Sequence, residues 1–414
     1  MSESVRRGKV LVCASSEGDD GTGQNARWTH RGAVMDYDVI IAGGSFAGLA
    51  AAAQLRGKRV LLVEPRAIGA VQTSACGTLL AVLEATGTLD SLLRVHDYFV
   101  LHLRQRTIEY PLPYPFCTFD YRTFCNRLLA QSDVEILHAS VLGHHGHLIY
   151  TTRGAFDAEI LIDATGWRAA LATNARQQAE QHHGTSFGLE TVIPVSEHGL
   201  HFYYEPRRLG LFNVGWLFPI GVRSRAGIAS YLGHSHLKET LADFARTEFG
   251  HAPDGKHGGY FPYRRRPATT GPVFRVGDAA GQCFPFTGEG VRPALYFGAV
   301  GGRLARRVLA GEMREADALR EYRKFVARHA SAYRYLLVAQ KVIPGLPMRW
   351  IERIAGRVQR PDWLNFVRWA YWNAINPQAL AAYFRERNKN EPPAAVSGLT
   401  PAVPTKPVVS PSHG

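Results

Sequence analysis

The sequence YDVIIAGGSFAG, residues 37–48, decides the fold class. Its first half, Tyr37 to Ala42, is a near-continuous apolar run, which is typical of a strand buried on both faces of a parallel sheet. The glycines that follow predict a tight turn, and the Ala-rich stretch from Gly48 to Leu55 predicts a helix. A second apolar strand, Val60 to Glu64, completes a βαβ unit.

The turn between the first strand and the helix has the pattern of a phosphate-binding loop. Gly43 and Gly48 match the first and third glycines of G-x-G-x-x-G, and Ser45 stands at the second. Small residues at such a turn let backbone amides and the helix N-terminus approach a pyrophosphate. Glu64 lies 21 residues after Gly43, where a carboxylate can accept hydrogen bonds from ribose hydroxyls. We therefore predict a dinucleotide-binding unit rather than another kind of glycine-rich turn.

A second glycine cluster lies far downstream, with GDAAG at 277–281, then Pro285 and GEG at 288–290. This combination resembles the signature of the FAD-dependent oxidoreductases related to hydroxybenzoate hydroxylase, and it is most similar to the geranylgeranyl reductase branch. The resemblance implies that FAD is the cofactor, that Asp278 hydrogen-bonds its ribitol chain and that the proline loop covers the ring. Two glycine-rich helix starts, far apart in sequence, also suit an elongated dinucleotide.

Shorter matches occur where the resemblance expects them. It implies that Cys76 and Gly77 lie along the flavin, that Arg122 contacts FAD and that Val141 lies beside the adenine. In the family's R-x-x-F-x-x-x-L helix start, strict spacing puts Tyr121 at the arginine position and Arg122 one residue late. The predicted cofactor-binding residues are Gly43, Ser45, Ala47, Gly48, Glu64, Cys76, Gly77, Arg122, Val141, Gly277, Asp278, Pro285, Gly288, Gly290 and Val291.

Cys76 is the predicted catalytic residue, because it is the only polar, potentially acidic side chain that the resemblance places near the ring. It could donate a proton or hold the substrate; the alternative is a small buried side chain that fills space beside the cofactor. Trp216, Phe218 and Phe286 are the predicted substrate contacts, which would form an apolar wall suited to a long hydrocarbon. The histidines have no carboxylate or cysteine at metal-ligand spacing, so we predict no metal site.

These residues favour an FAD-dependent oxidoreductase that reduces carbon–carbon double bonds of a long apolar, isoprenoid or lipid-like substrate. One alternative is a flavin-dependent monooxygenase or halogenase on the same fold, although residues 72–76 contain no counterpart of the halogenase lysine motif. Another is a non-enzymatic prenyl-lipid carrier, which would not need Glu64 and Asp278. No second nicotinamide-binding motif is present, so the electron donor stays open between NAD(P)H, ferredoxin and a flavoprotein.

The composition excludes several other classes of protein. The 414 residues are 46% hydrophobic and 20% charged, the balance of a folded enzyme with more than one domain. Five cysteines without a CxxC pair fit a reducing compartment. No apolar run approaches the length of a membrane span, so we expect a cytoplasmic protein.

The net charge of +13 is concentrated near the C-terminus. Between residues 301 and 390 there are 18 Lys and Arg against 7 Asp and Glu. The same segment holds four of the seven tryptophans: Trp350, Trp363, Trp369 and Trp372. Basic residues among large aromatics suit an anionic membrane surface, so we expect peripheral membrane contact and no nucleic acid. A solvated basic helical face above buried tryptophans is the alternative.

The predicted fold is α/β, with a Rossmann-like FAD-binding domain interleaved with a mostly antiparallel β-sheet substrate domain, plus a C-terminal helical segment. The predicted ranges are a disordered leader at 1–34, FAD-binding parts at 35–98, 117–170 and 265–310, substrate-domain strands at 99–116, a substrate-domain sheet at 171–264, the helical segment at 311–389 and a disordered tail at 390–414. Met35 directly precedes the first strand, so we expect it to be the true start, or the residues before it to be dispensable.

Overall fold

The computed structural model describes residues 36–172 and 184–388, so the predicted leader and tail lie outside the described residues. In chain order the strands are β1 (Tyr37–Ala42), β2 (Val60–Val63), β3 (Gly77–Leu79), β4 (Leu92–Leu103), β5 (Thr107–Phe119), β6 (Glu135–Leu137), β7 (Val141–His145), β8 (Leu148–Thr151), β9 (Gly154–Asp163), β10 (Thr185–Ile193), β11 (Leu200–Tyr204), β12 (Asn213–Pro219), β13 (Ser224–Ser230), β14 (Asp254–Pro262), β15 (Thr269–Thr270) and β16 (Val273–Arg275). The helices are α1 (Phe46–Ala52), α2 (Leu80–Thr86), α3 (Tyr121–Leu129), α4 (Pro206–Leu209), α5 (Lys238–Phe249), α6 (Val291–Leu309), α7 (Glu315–Arg328), α8 (Ala330–Val342), α9 (Met348–Val358), α10 (Pro361–Ala374) and α11 (Pro377–Asn388).

The first sheet has the order β15-β16-β9-β1-β2-β6, and its central pairings are parallel. The alternate residues of β1 are buried on opposite faces. Val39 and Ile41 belong to the main core with α1, whereas Ile40 and Ala42 pack in a smaller cluster on the other side. The continuous apolar pattern of β1 is therefore explained by burial on both faces.

The second sheet has the order β14-β10-β13-β12-β11-β4-β5-β3 and is antiparallel except where β4 pairs with β11. One face is covered by α5, whose Leu241 and Phe244 pack in a cluster with Leu217 of β12. The residues that alternate with Leu217, namely Trp216 and Phe218, are only partly buried on the opposite face. The predicted fold class, a parallel dinucleotide-type sheet combined with a mostly antiparallel sheet and C-terminal helices, is confirmed.

The chain crosses between the sheets earlier than the predicted ranges indicate. β3 and the start of β4 lie in the second sheet, although residues 35–98 were assigned to the FAD-binding domain. The short strand β3 pairs with β5, so the chain reaches the second sheet directly after Cys76. The rest of the division into ranges stays a prediction.

The C-terminal helices are partly built into the core. Leu380 and Phe384 of α11 are buried in the main hydrophobic cluster. The predicted helical segment is divided into several helices, of which α7 and α8 meet at His329. Within residues 36–172 and 184–388, no helix combines the length and hydropathy needed to cross a bilayer.

Candidate active site

The turn after β1 requires glycine at two positions for steric reasons. Gly43 has φ +103°, and a Cβ there would lie 2.2 Å from the Ala164 carbonyl oxygen. A Cβ on Gly48 would lie 1.9 Å from the Gly43 carbonyl oxygen. Both distances are far below contact, so the close approach of strand and helix depends on these two residues, as in dinucleotide-binding turns.

Glu64 is directly connected to this turn. Its Oε2 accepts a hydrogen bond from the Gly44 backbone amide at 3.0 Å, and its side chain is 18% exposed. The Ser45 hydroxyl shares a hydrogen bond of 2.9 Å with the Tyr121 hydroxyl. The acid predicted from sequence spacing therefore lies at the glycine turn.

The structure brings the second glycine cluster against the first. Gly277 has φ +62°, and a Cβ there would lie 2.9 Å from the Ala47 Cβ. Two glycines of α6 pack on α1 equally closely: a Cβ on Gly298 would lie 2.3 Å from the Ala47 oxygen, and one on Gly302 would lie 2.4 Å from the Ala51 oxygen. The backbone of α6, which follows the GEG sequence, thus packs directly on the backbone of α1, which follows the first turn.

Asp278 is a partly buried carboxylate whose side chain accepts no hydrogen bond within the described residues. Burial raises its pKa to about 6, although the nearby Arg266 guanidinium acts in the opposite direction. A carboxylate at a glycine-rich turn that accepts no hydrogen bond from the described residues is suited to accept hydrogen bonds from a polyhydroxyl ligand.

We expect Asp278→Asn to stabilise the cofactor-free protein above pH 6. Because the pKa of Asp278 is raised in the folded state, that state binds more protons than the unfolded chain between about pH 4 and 6, and its stability falls as the pH rises through this window. The amide removes this cost, which is about 1–3 kcal/mol at pH 8. Urea unfolding of both proteins at pH 4.5 and pH 8 measures the difference. A variant that is less stable than the parent at pH 8 would contradict the prediction.

Cys76 lies in a strained loop between the two sheets. It has φ +54°, its side chain is completely buried, and its Sγ donates to the Ser74 carbonyl oxygen at 3.3 Å. Burial raises the pKa of the thiol. The charge of Arg225 lowers this pKa by a smaller amount, and the charge of Glu190 raises it further. The thiol is therefore held protonated and enclosed, and its catalytic role stays a prediction.

The predicted substrate residues of β12 lie against this loop. A Cβ on Gly77 would be 3.2 Å from the Phe218 ring, so β3 and β12, both strands of the second sheet, approach closely there. Phe218 in turn packs against Phe202 of β11 with ring centroids 5.4 Å apart, and against Trp216 at 6.3 Å. These partly exposed rings form an apolar wall beside the Cys76–Gly77 segment.

Phe286 is held on a second strained backbone position, with φ +65°. Its amide donates to Gln340 Oε1 at 2.7 Å, and its carbonyl oxygen accepts from the Tyr231 hydroxyl at 2.6 Å. The loop after Pro285 is thus fixed from one side by Tyr231, directly after β13, and from the other by Gln340 of α8. Strain at non-glycine residues is typical of functional loops.

A buried ion pair links the GEG sequence to the C-terminal helices, and sequence reasoning missed it. Arg292, completely buried, donates from its Nε and one Nη to the two carboxylate oxygens of Glu289 at 3.1 and 2.9 Å. The Tyr371 hydroxyl of α10 also donates to Glu289, and Thr78 Oγ1 lies 3.5 Å from the same carboxylate. The C-terminal helical segment, in which the sequence shows no diagnostic motif, therefore contacts the GEG sequence through Tyr371.

The structure shows the protein surroundings of two other predicted contacts, Arg122 and Val141. Arg122 is exposed and its Cα lies beside Gly69, whereas Tyr121, the residue at the strict motif spacing, is buried against Ser45. Val141 is partly buried at the start of β7 and packs on the small cluster that contains Val63. FAD contacts of Arg122 and Val141 stay predictions.

Comparison with known proteins gives one curated relative and many structural neighbours, while no protein-family model matches the chain. Digeranylgeranylglycerophospholipid reductase 2 of Methanopyrus kandleri is 25% identical over 378 residues, covering 81% of this chain and 93% of the relative. A geranylgeranyl bacteriochlorophyll reductase-like protein of Thermoplasma acidophilum has a TM-score of 0.69 at 18% identity, covering 86% of this chain and 97% of its own. The flavin-dependent brominase Bmp2 has a TM-score of 0.62 at 14% identity, covering 85% and 98%.

The chain is therefore an FAD-dependent oxidoreductase of the superfamily that includes geranylgeranyl reductase-like proteins and flavin-dependent halogenases. The described residues fit this cofactor: the two glycine turns meet at Ala47, Glu64 lies at the first turn, and the Asp278 carboxylate at the second has no hydrogen-bonding partner. The predictions of superfamily, enzyme class and cofactor are confirmed.

Proposed function

We propose that this FAD-dependent oxidoreductase reduces carbon–carbon double bonds of a long apolar, isoprenoid-like lipid. The observation that carries the proposal is the apolar wall of Phe202, Trp216 and Phe218, which lies beside the Cys76–Gly77 segment. The curated relative, named for reduction of a digeranylgeranyl lipid, supports the same class of substrate.

The residues of the wall suit a hydrocarbon because they bind without requiring polar partners. The bound cofactor would supply the hydride, and the protein would bind the chain, orient it and exclude water. The enclosed thiol of Cys76 keeps its proton, because burial raises its pKa. We propose that this thiol gives its proton to the second carbon of the double bond, which becomes the stronger base once the first carbon has gained the hydride, and that a proton from solvent then restores the thiol.

The test is anaerobic turnover of the photoreduced protein with geranylgeranyl lipids. We expect the flavin absorbance near 450 nm to return as the lipid gains two hydrogens per double bond, as measured by mass spectrometry. Reduced protein that no isoprenoid reoxidises would refute the proposed substrate class. The same assay with separate donors identifies whether NAD(P)H, ferredoxin or a flavoprotein is the reductant.

Oxygen chemistry is the second candidate, because the brominase Bmp2 shares the fold over 85% of this chain. The halogenase lysine motif, however, has no counterpart here, because residues 65–76, which connect β2 to β3, contain no lysine. Oxygen consumption in a fixed ratio to a hydroxylated or halogenated product would favour this candidate over reduction of a double bond.

We further propose that an anionic membrane surface delivers the substrate. The contact would be the basic aromatic surface, defined here by the following exposed apolar and cationic side chains of α8, α9 and α10: Tyr335, Val338, Val342, Arg349, Trp350, Arg353, Ile354, Arg357, Trp363, Phe366 and Val367. Trp350 and Trp363 are 47% and 50% exposed, so these two tryptophans are not buried beneath a solvated face, whereas Trp372 packs against the main core. The Arg353 guanidinium lies 4.9 Å from the centre of the Trp350 ring. Aromatic rings and arginines together suit the interface of a bilayer that carries negative charge.

Charge reversal of α9 is expected to weaken membrane binding. The triple variant Arg349→Glu, Arg353→Glu and Arg357→Glu should bind phosphatidylglycerol-containing vesicles at least about tenfold less tightly, since each cation contributes about 1 kcal/mol near such a surface. Vesicle co-sedimentation at low and high salt measures this. The matched control reverses Arg207, Arg223 and Arg246, which are exposed elsewhere. Equal losses in the two triple variants would show that net charge alone is responsible.

A further inference from the structure

Glu190 is a buried carboxylate in the middle of β10, and its side chain is only 4% exposed. Its Oε1 lies 2.6 Å from His257 Nε2 and accepts from Gln72 Nε2 at 3.0 Å. Its Oε2 accepts from the Trp216 indole at 3.2 Å, and the Arg225 guanidinium lies 3.9 Å from Oε1. One carboxylate thus joins three strands of the second sheet to the segment that precedes Cys76.

The strand register explains how these side chains meet. Glu190 is opposite His257 of β14 on one side and Gly227 of β13 on the other, and Gly227 is opposite Trp216 of β12. A Cβ on Gly227 would lie 2.1 Å from the Trp216 ring. Only glycine at this position lets the indole cross β13 and reach the Glu190 carboxylate.

The loop before β3 is attached to the same carboxylate by two side chains. Gln72 Nε2 donates both to Glu190 and to the Ser74 carbonyl oxygen, the latter at 2.8 Å. Arg225, paired with Glu190, donates to the carbonyl oxygen of Ala75 at 3.3 Å. The carbonyls of the two residues before Cys76 are therefore fixed from the second sheet.

This attachment explains the backbone of Cys76. A positive φ at a residue other than glycine costs about 1–3 kcal/mol and persists only where the surroundings enforce it. We propose that Glu190 is a positioning residue: through Gln72 and Arg225 it holds the 72–76 loop on the second sheet, and so keeps the Cys76 thiol enclosed beside the apolar wall. This role does not depend on which substrate the protein reduces.

Selective chemical labelling of cysteine tests the proposal. The four cysteines within the described residues, namely Cys76, Cys117, Cys125 and Cys283, are all buried, so three of them report global opening while Cys76 reports the loop. In Glu190→Ala and in Gln72→Ala, we expect iodoacetamide to label Cys76 at least about tenfold faster than in the parent. The free energy of a buried hydrogen bond is large enough to shift the equilibrium between the closed loop and the locally open loop by this factor. Peptide mapping by mass spectrometry gives the rate at each position.

Two further variants separate positioning from general stability. Glu190→Gln retains an acceptor for Gln72 and should restore part of the protection of Cys76. Trp216→Phe removes only the hydrogen bond from the indole to Glu190 Oε2, and it should leave Cys76 as protected as in the parent. The proposal is overturned if Cys76 stays protected in both Glu190→Ala and Gln72→Ala, or if all four cysteines become reactive together.

Discussion

Replacement of Arg292 by methionine is expected to lower the free energy of unfolding by about 3–5 kcal/mol, because it leaves the buried Glu289 carboxylate without its cation. The guanidinium also donates to the carbonyl oxygens of Ile375 and Tyr371, so its loss releases the end of α10 from the GEG sequence. Urea unfolding followed by circular dichroism measures the change.

The matched comparison is Arg314→Met, which removes the arginine of an exposed ion pair with Asp317 and should have no measurable effect. The double variant Arg292→Met with Glu289→Leu should recover part of the loss, because it removes the unpaired charge as well. A double variant that is less stable than Arg292→Met alone would show that the ion pair itself, rather than the stranded carboxylate, dominates the energetics.

Gly298→Ala should separate the two glycine clusters and weaken FAD binding at least about tenfold, since a methyl group 2.3 Å from the Ala47 oxygen requires α6 to move away from α1. The same overpacking is expected to cost about 1–3 kcal/mol of stability. Fluorescence titration of the apo-protein with FAD gives the affinity, and thermal unfolding gives the stability.

Gly301→Ala is the control within the same helix. The nearest atom to its added methyl would be a side-chain carbon of Val276 at 3.1 Å, which can yield slightly, and alanine has the higher helix propensity. This variant should bind FAD like the parent. Equal effects of the two substitutions would mean that the close contact at Ala47 does not organise the cofactor site.

The parts of the site that were predictable from sequence are those that a short sequence pattern marks. The apolar run of β1 reflects its burial on both faces, and glycine is required at 43 and 48 because the turn from the strand to the helix is tight. The prediction names Arg122 as a contact, although strict motif spacing indicates Tyr121; Tyr121 is the residue that contacts Ser45, and Arg122 is exposed. The motif is short, but the contact itself joins residues that are 76 apart in sequence.

The remaining site residues could not be predicted because their partners are distant in sequence. Tyr371 and Glu289 are 82 residues apart, and Glu190 and His257 are 67 apart. Only the strand register and the packing of α10 bring them together. A single carboxylate inside the otherwise uncharged strand Thr185–Ile193 was the available signal, because a buried charge requires partners.

We predict that one extended FAD molecule joins the Glu64 turn to the Asp278 turn, and binding of its two halves tests this directly. Affinities of the apo-protein for FAD, ADP and FMN are to be measured for the parent, Glu64→Ala and Asp278→Asn. We predict that Glu64→Ala weakens ADP and FAD but not FMN, and that Asp278→Asn weakens FMN and FAD but not ADP. If both variants weakened the same half, or if neither changed the affinity for FAD, the claim would be contradicted.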